Sequence, residues 1–113
     1  MSVSKIVLVA AAALVNGEGH VLLAQRPEHK SMAGLWEFPG GKVNEGETPE
    51  TALVRELEEE LNIHASMADF KPVAFASHAY PDFHLLMPLF ICCTWRGVLE
   101  PREHTALKWV KPI

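Results

Sequence analysis

Cysteine is almost absent from this chain of 113 residues: there are two, Cys92 and Cys93, and they are neighbours. Adjacent residues of a strand point to opposite faces, so the pair excludes an ordinary disulfide framework. It reads instead as small buried hydrophobes of a protein kept in the reduced cytoplasm. Internal repeats, low-complexity tracts and linkers are also missing, and 49% hydrophobic against 21% charged residues excludes a disordered chain. The length is enough for one domain with a real core, residues 1–113, and too short for two. There is no excess of positive charge. A net charge of -4 excludes global attraction to duplex nucleic acid, whose affinity rests on phosphate contacts, so a polyphosphate ligand must be met by local cations. The apolar run 6–15 is too short to span a bilayer, which argues against a membrane partner. The Asn16-Gly17-Glu18-Gly19 segment and apolar Val21-Leu22-Leu23-Ala24 after it make strand, turn, strand a better reading than a signal peptide. Six histidines, His20, His29, His64, His78, His84 and His104, show no metal-ligand spacing and read as structural or surface residues.

What the chain does have is acid, concentrated in one place. Seven of its fourteen acidic residues lie between Glu45 and Glu60, with Arg55 the single basic residue among them. Thr48-Pro49-Glu50 has the order of a helix start: a hydroxyl N-cap, proline at the first helical position, and an acid where the helix dipole favours it. The helix should run to about Leu61. At 100° per residue Leu53, Val54, Leu57 and Leu61 share one arc, while Glu56, Glu59 and Glu60 share the adjoining one and Glu58 points to water. Like charges at about 4 Å repel by about 4 kcal/mol at an effective dielectric of 20, so the trio calls for protonation, solvation or a cation. Oxygen-only ligands suit hard Mg²⁺ or Mn²⁺. A solvated acidic face is the alternative reading of the glutamates alone.

Around this helix the sequence predicts an apolar strand over residues 6–15, buried on both faces, and a hairpin partner from Val21. A polar loop with Pro27, His29 and Lys30 leads to the short apolar piece Leu35-Trp36-Glu37-Phe38, which stops at a sharp turn, Pro39-Gly40-Gly41. Gly40 and Gly41 allow close backbone approach to a metal or phosphate. Two more strands, over 71–78 and 84–95, are joined by a turn at Tyr80-Pro81-Asp82, and a last short strand covers 106–110.

The spacing is more specific than any of these features. Five residues separate Gly41 from Glu47, seven more lead to Arg55-Glu56, and then come an aliphatic residue, a free position and Glu59-Glu60. This resembles the signature of the Nudix hydrolases, with one departure: Asn62 stands where that family usually has glycine, and Ile63 fills the last aliphatic place. Asparagine is the next-best residue for a left-handed helix cap, so the loop-helix-loop geometry should survive. The segments Leu22-Leu23-Ala24-Gln25-Arg26 and Trp36-Glu37-Phe38-Pro39-Gly40-Gly41-Lys42, with residues 95–109, are similar to the MutT-like branch, which removes pyrophosphate from oxidised purine nucleoside triphosphates.

The resemblance implies an α/β (α+β) fold, the Nudix α/β/α sandwich around a mixed β-sheet. It implies Mg²⁺, with Mn²⁺ as a substitute, bound by Glu56, Glu59, Glu60 and Glu103 together with the Gly40 and Gly41 backbone. Arg55 would orient Glu56 by bidentate hydrogen bonding, and Glu47 would help hold the loop. Water would attack the β-phosphorus of a nucleoside triphosphate such as 8-oxo-dGTP, with Glu56 or Glu103 taking the proton. This is chemistry that needs no serine or cysteine nucleophile. Glu103 and Arg26 also fit as plain surface residues. Arg26 and Lys42 are candidates for phosphate contact. Phe38, Tyr80 and Phe83 are candidates for the base pocket, although aromatics in such positions are more often plain core. MutT-like chains usually continue into a C-terminal helix, whereas this sequence stops at Ile113, so the expected sandwich lacks that helix and leaves one face open. Other substrates (CTP, ADP-ribose or RNA 5' ends) and a non-catalytic nucleotide- or protein-binding role are the competing readings. The oligomeric state is not legible in the sequence.

Overall fold

The computed structural model describes residues 5–112; residues 1–4 and Ile113, at the limits of the expected 1–113 domain, lie outside them. Strand β1 (Lys5–Leu14) is the hub. It pairs antiparallel with a three-residue strand at Gly40–Lys42 on one side and parallel with Phe83–Cys92 on the other; Phe70–Ala79 then pairs antiparallel with Phe83–Cys92 at the far edge. A second, antiparallel sheet places Val21–Gln25 between Trp36–Glu37 and Ala106–Val110. In chain order the strands are β1, β2 (Val21–Gln25), β3 (Trp36–Glu37), β4 (Gly40–Lys42), β5 (Phe70–Ala79), β6 (Phe83–Cys92) and β7 (Ala106–Val110). The fold is mixed α+β with a mixed sheet, as the sequence implied, and α1 (Pro49–Leu61) is the one α-helix among the described residues.

Helix α1 forms as its caps dictate. Thr48 is extended, its hydroxyl accepts from the Thr51 N–H at 3.2 Å, and the Thr51 hydroxyl returns the favour to the Thr48 N–H at 2.8 Å. Leu53, Leu57 and Leu61 are fully buried and pack with Ala10, Ala12, Leu14 and Ile63 in a core that also takes in Phe90 and Cys92. Three fully buried leucines contribute on the order of 2 kcal/mol each by removal from water, which is why a helix so rich in glutamate stays docked. Asn62 ends it in the left-handed conformation at φ 60°, ψ 29°.

Three expectations need correction. Strand β1 is buried only from Ala10 onward, whereas Ile6 is 64% exposed. Gly40 and Gly41 are not a turn: they run extended against Ala11 and Ala10 of β1. Glycine is required there because Gly40 sits at φ 152° and a Cβ on it would strike the Ala10 carbonyl oxygen. Strand β6 stops at Cys92 rather than reaching Trp95, with the Cys92 thiol bonded to the Thr94 carbonyl at 3.3 Å. Cys92 is buried and Cys93 exposed, both as free thiols. At the sheet edge β5 carries Pro72 beside an irregularity in its register, a position where a missing N–H is tolerated.

Candidate active site

Docking α1 across β1 and β4 brings the glycine strand against the acidic face of the helix. Gly41 lies so close to Glu56 that an added Cβ would fall 2.5 Å from its carboxyl carbon. Arg55 organises the rest. Its Nη1 donates to Glu56 Oε1 at 2.8 Å, its Nε and Nη2 to the two oxygens of Glu47 at 2.8 and 2.9 Å, and Nη2 also to the Lys42 carbonyl at 3.1 Å. Glu59 is more loosely held, 3.5 Å from Nη1 and half exposed. Hydrogen bonds from Arg55 and from the Asn44 N–H pull the Glu47 carboxyl down to about 2, while Glu47 and Glu56 raise the Arg55 guanidinium above its ordinary value.

Glu60 is the anomaly. It is 3% exposed, and its Oε2 has no hydrogen-bond partner. Burial first, then the charges of Glu56 and Glu103, push its carboxyl up to about 8 despite a bond from the Gly40 backbone. A buried carboxylate with an orphan oxygen beside two others is costly unless a cation or proton joins it.

These groups line one cavity of about 650 Å³, which is bordered by Gly40, Gly41, Glu56, Glu59, Glu60 and Glu103 and by Arg26, Lys30, Lys42 and Phe38. The size suits a nucleotide-sized ligand. A Nudix domain model matches residues 5–113. The chain belongs to the Nudix hydrolase family. An 8-oxo-dGTP diphosphatase of Proteus vulgaris is 37% identical over 95 residues, 84% of this chain and 83% of the relative. A CTP pyrophosphohydrolase of Escherichia coli is 41% identical over 111 residues, covering 89% of this chain and 73% of the relative. In three dimensions the chain is similar to a MutT Nudix hydrolase from Burkholderia pseudomallei, with a TM-score of 0.84, 30% identity, and 95% of this chain and 84% of that one covered.

The structure brings Gly40, Gly41, Glu56, Glu59 and Glu60 around one cavity, Glu103 lines it from the loop before β7, and Arg55 lies behind the lining, bonded to Glu56. Arg55 gives Glu56 one hydrogen bond rather than the expected bidentate pair, which goes instead to Glu47. Nudix hydrolases generally use divalent metal ions. The donor set here fits one, because the Glu60 orphan oxygen and the neighbouring carboxylates are hard oxygen ligands. Among the described residues, no three side chains close into a ligand cage by themselves.

Two predicted residues lie elsewhere. Tyr80 and Phe83 stack on each other at 4.8 Å at the β5–β6 turn, with Tyr80 edge-on to His78, and neither lines the cavity. Conversely, His104 is no bystander: its side chain is only 6% exposed, it lines the cavity, and its Nε2 lies 3.1 Å from Glu37 Oε2. Glu37 in turn pairs with Arg26 at 3.0 Å, while Arg26 Nε donates to the Ser31 carbonyl at 2.8 Å. Partial burial raises the Glu37 carboxyl, but the bonds from His104 and Arg26 outweigh it and leave it below its ordinary value. Glu37 and His104 are 67 residues apart, so no local spacing could have linked them.

Proposed function

We propose that this Nudix hydrolase is a nucleoside triphosphate diphosphatase that releases nucleoside monophosphate and pyrophosphate, with oxidised purine triphosphates such as 8-oxo-dGTP as its substrates. It works as a single unit over residues 1–113, in the cytoplasm, and cleanses the nucleotide pool ahead of DNA replication. The observation that carries this reading is the mixed lining of the cavity, which combines the carboxylates Glu56, Glu59, Glu60 and Glu103 with the cations Arg26, Lys30 and Lys42.

Glu56, Glu59, Glu60 and Glu103, with the Gly40 and Gly41 backbone, would hold Mg²⁺, or Mn²⁺ in its place, which would supply charge neutralisation of the triphosphate and activation of water. Arg55 holds Glu56 in one orientation, so that Glu56 or Glu103 can take the proton of the attacking water. Arg26 and Lys42 position the phosphates, and Phe38 offers an apolar wall to the base. The 37% identity to the Proteus vulgaris diphosphatase supports the purine substrate. The similarity to a CTP pyrophosphohydrolase favours a second reading, the same chemistry on CTP.

A nucleotide panel with Mg²⁺, including dGTP, 8-oxo-dGTP and CTP, tests both, with pyrophosphate and orthophosphate assayed separately and Glu56→Gln as the control. Preference for 8-oxo-dGTP with pyrophosphate release is expected. Preference for CTP transfers the function to the second reading; no turnover of any nucleotide sinks both, and turnover untouched by Glu56→Gln sinks the site.

A further inference from the structure

We propose that Asn62 and Arg102 form a clasp that positions Glu103 over the carboxylate cavity, so that the residue replacing the family's glycine serves the reaction as well as ending the helix. This rests on the proposed phosphoanhydride hydrolysis. Helix α1 has three glutamates and no basic residue in its last turn, an arrangement that opposes the helix dipole. The missing cation comes from forty residues along the chain. Arg102 Nη2 donates to Asn62 Oδ1 at 2.7 Å, its Nη1 to the Glu58 carbonyl at 3.3 Å, and its backbone N–H to the Glu60 carbonyl at 2.9 Å. The Glu100 N–H adds a bond to the Leu61 carbonyl at 3.0 Å. The Glu60 and Leu61 carbonyls, which the helix leaves unpaired at its C-terminus, are thereby used to hold a loop, while the Glu58 carbonyl is shared with the Asn62 N–H.

The position they hold is the residue before Glu103. On the other side of Glu103, His104 is fastened to Glu37 and the Thr105 N–H to the Gln25 carbonyl at 3.0 Å. Glu103 is therefore presented from a segment pinned at both ends, to the helix on one side and to the β2–β3 sheet on the other. A carboxylate on an exposed loop would otherwise spend ordering entropy each time it engaged the cavity. Glycine at position 62 could adopt the left-handed conformation but could not reach Arg102. The side chain of Asn62 adds to the backbone bonds the one contact that glycine would lose, and it is the contact that fixes the Arg102 guanidinium.

Asn62→Gly tests this without disturbing the helix cap, since glycine is the residue most at ease at φ 60°. We expect Asn62→Gly and Arg102→Ala each to lower kcat about tenfold with KM changed less than about twofold, as for loss of an interaction made in the transition state. The double variant should be no worse than either single one, and in a Glu103→Gln background neither substitution should cost anything further. In the metal-free protein, amide hydrogen exchange at residues 102–104 should speed up in both variants while α1 stays protected. Mn²⁺ affinity by electron paramagnetic resonance should weaken in both. Additive losses, or losses that persist in the Glu103→Gln background, would overturn the clasp. If the wild-type protein hydrolyses no nucleotide, the functional reading fails, and unchanged exchange at residues 102–104 would separately overturn the clasp.

Discussion

Arg55 grips Glu47 from eight residues along the chain with two parallel hydrogen bonds of 2.8 and 2.9 Å, and with its remaining nitrogen it holds Glu56. One guanidinium thus ties the loop after the glycine strand to the carboxylate that faces the glycines. The geometry is that of a planar fork, which a lysine ammonium cannot reproduce.

Arg55→Lys should therefore lower kcat by roughly ten- to a hundredfold, a part of the roughly hundred- to ten-thousandfold that a positioned general base typically contributes, with a smaller change in KM. Steady-state kinetics on the preferred nucleotide measures the split. An unchanged kcat would remove Arg55 from the positioning of Glu56.

The same pair has a consequence for acid stability. The Glu47 carboxyl titrates at about 2 in the folded protein against an ordinary 4.5, so its contribution is present above pH 4.5 and is lost as pH falls from there toward 2. Glu47→Gln should flatten the acid limb of the stability profile in that window. Urea unfolding between pH 2 and 6 reports it, and an identical limb in the variant would contradict the assignment.

Gly41→Ala separates fold from chemistry. The backbone of Gly41 lies outside the left-handed region, and the obstacle to a Cβ is the Glu56 carboxylate at 2.5 Å. The flexible end of Glu56 can move aside, so the melting temperature should change by only a few degrees while kcat falls at least about tenfold through the displaced carboxylate. A variant that melts normally and turns over normally would show that Glu56 need not face the glycine strand.

The helix was legible in the sequence because everything that specifies it is local: the Thr48 cap, Pro49, the leucine arc, and a left-handed residue at Asn62. The glycine strand was not, because Gly40 and Gly41 have no strand preference of their own and are held extended by Ala10 and Ala11, some thirty residues earlier. His104, in the loop before β7, escaped notice for the same reason, its partner Glu37 lying far away in β3. Tyr80 and Phe83 show the converse. Aromatic character alone does not specify which end of a hairpin faces a ligand, and theirs is spent on stacking with each other.

Arg26 lines the cavity while Glu37 and the Ser31 carbonyl hold its guanidinium. A role in binding triphosphate oxygens predicts that Arg26→Ala raises KM about tenfold, the loss of one charge-assisted contact, with a smaller effect on kcat. Pyrophosphate as a competitive inhibitor should lose affinity in parallel. Loss of affinity for substrate but not for pyrophosphate would assign Arg26 to another part of the nucleotide.

Glu60 gives the sharpest dependence on pH. In the metal-free protein its carboxyl titrates at about 8, against an ordinary 4.5 in the unfolded chain. Between these values the unfolded state has released the proton and the folded state still holds it, so stability is full below pH 4.5 and declines as pH rises toward 8. The decline is on the order of a few kcal/mol, because each unit of difference corresponds to about 1.4 kcal/mol. A divalent cation reverses the preference by stabilising the charged form, so adding Mg²⁺ should raise the melting temperature more at pH 8 than at pH 5. Glu60→Gln should remove both the decline and the pH dependence of the Mg²⁺ effect. Thermal melts in chelator and in Mg²⁺ across pH 5 to 9 measure both, and a Mg²⁺ shift of equal size at both pH values would place the cation away from Glu60.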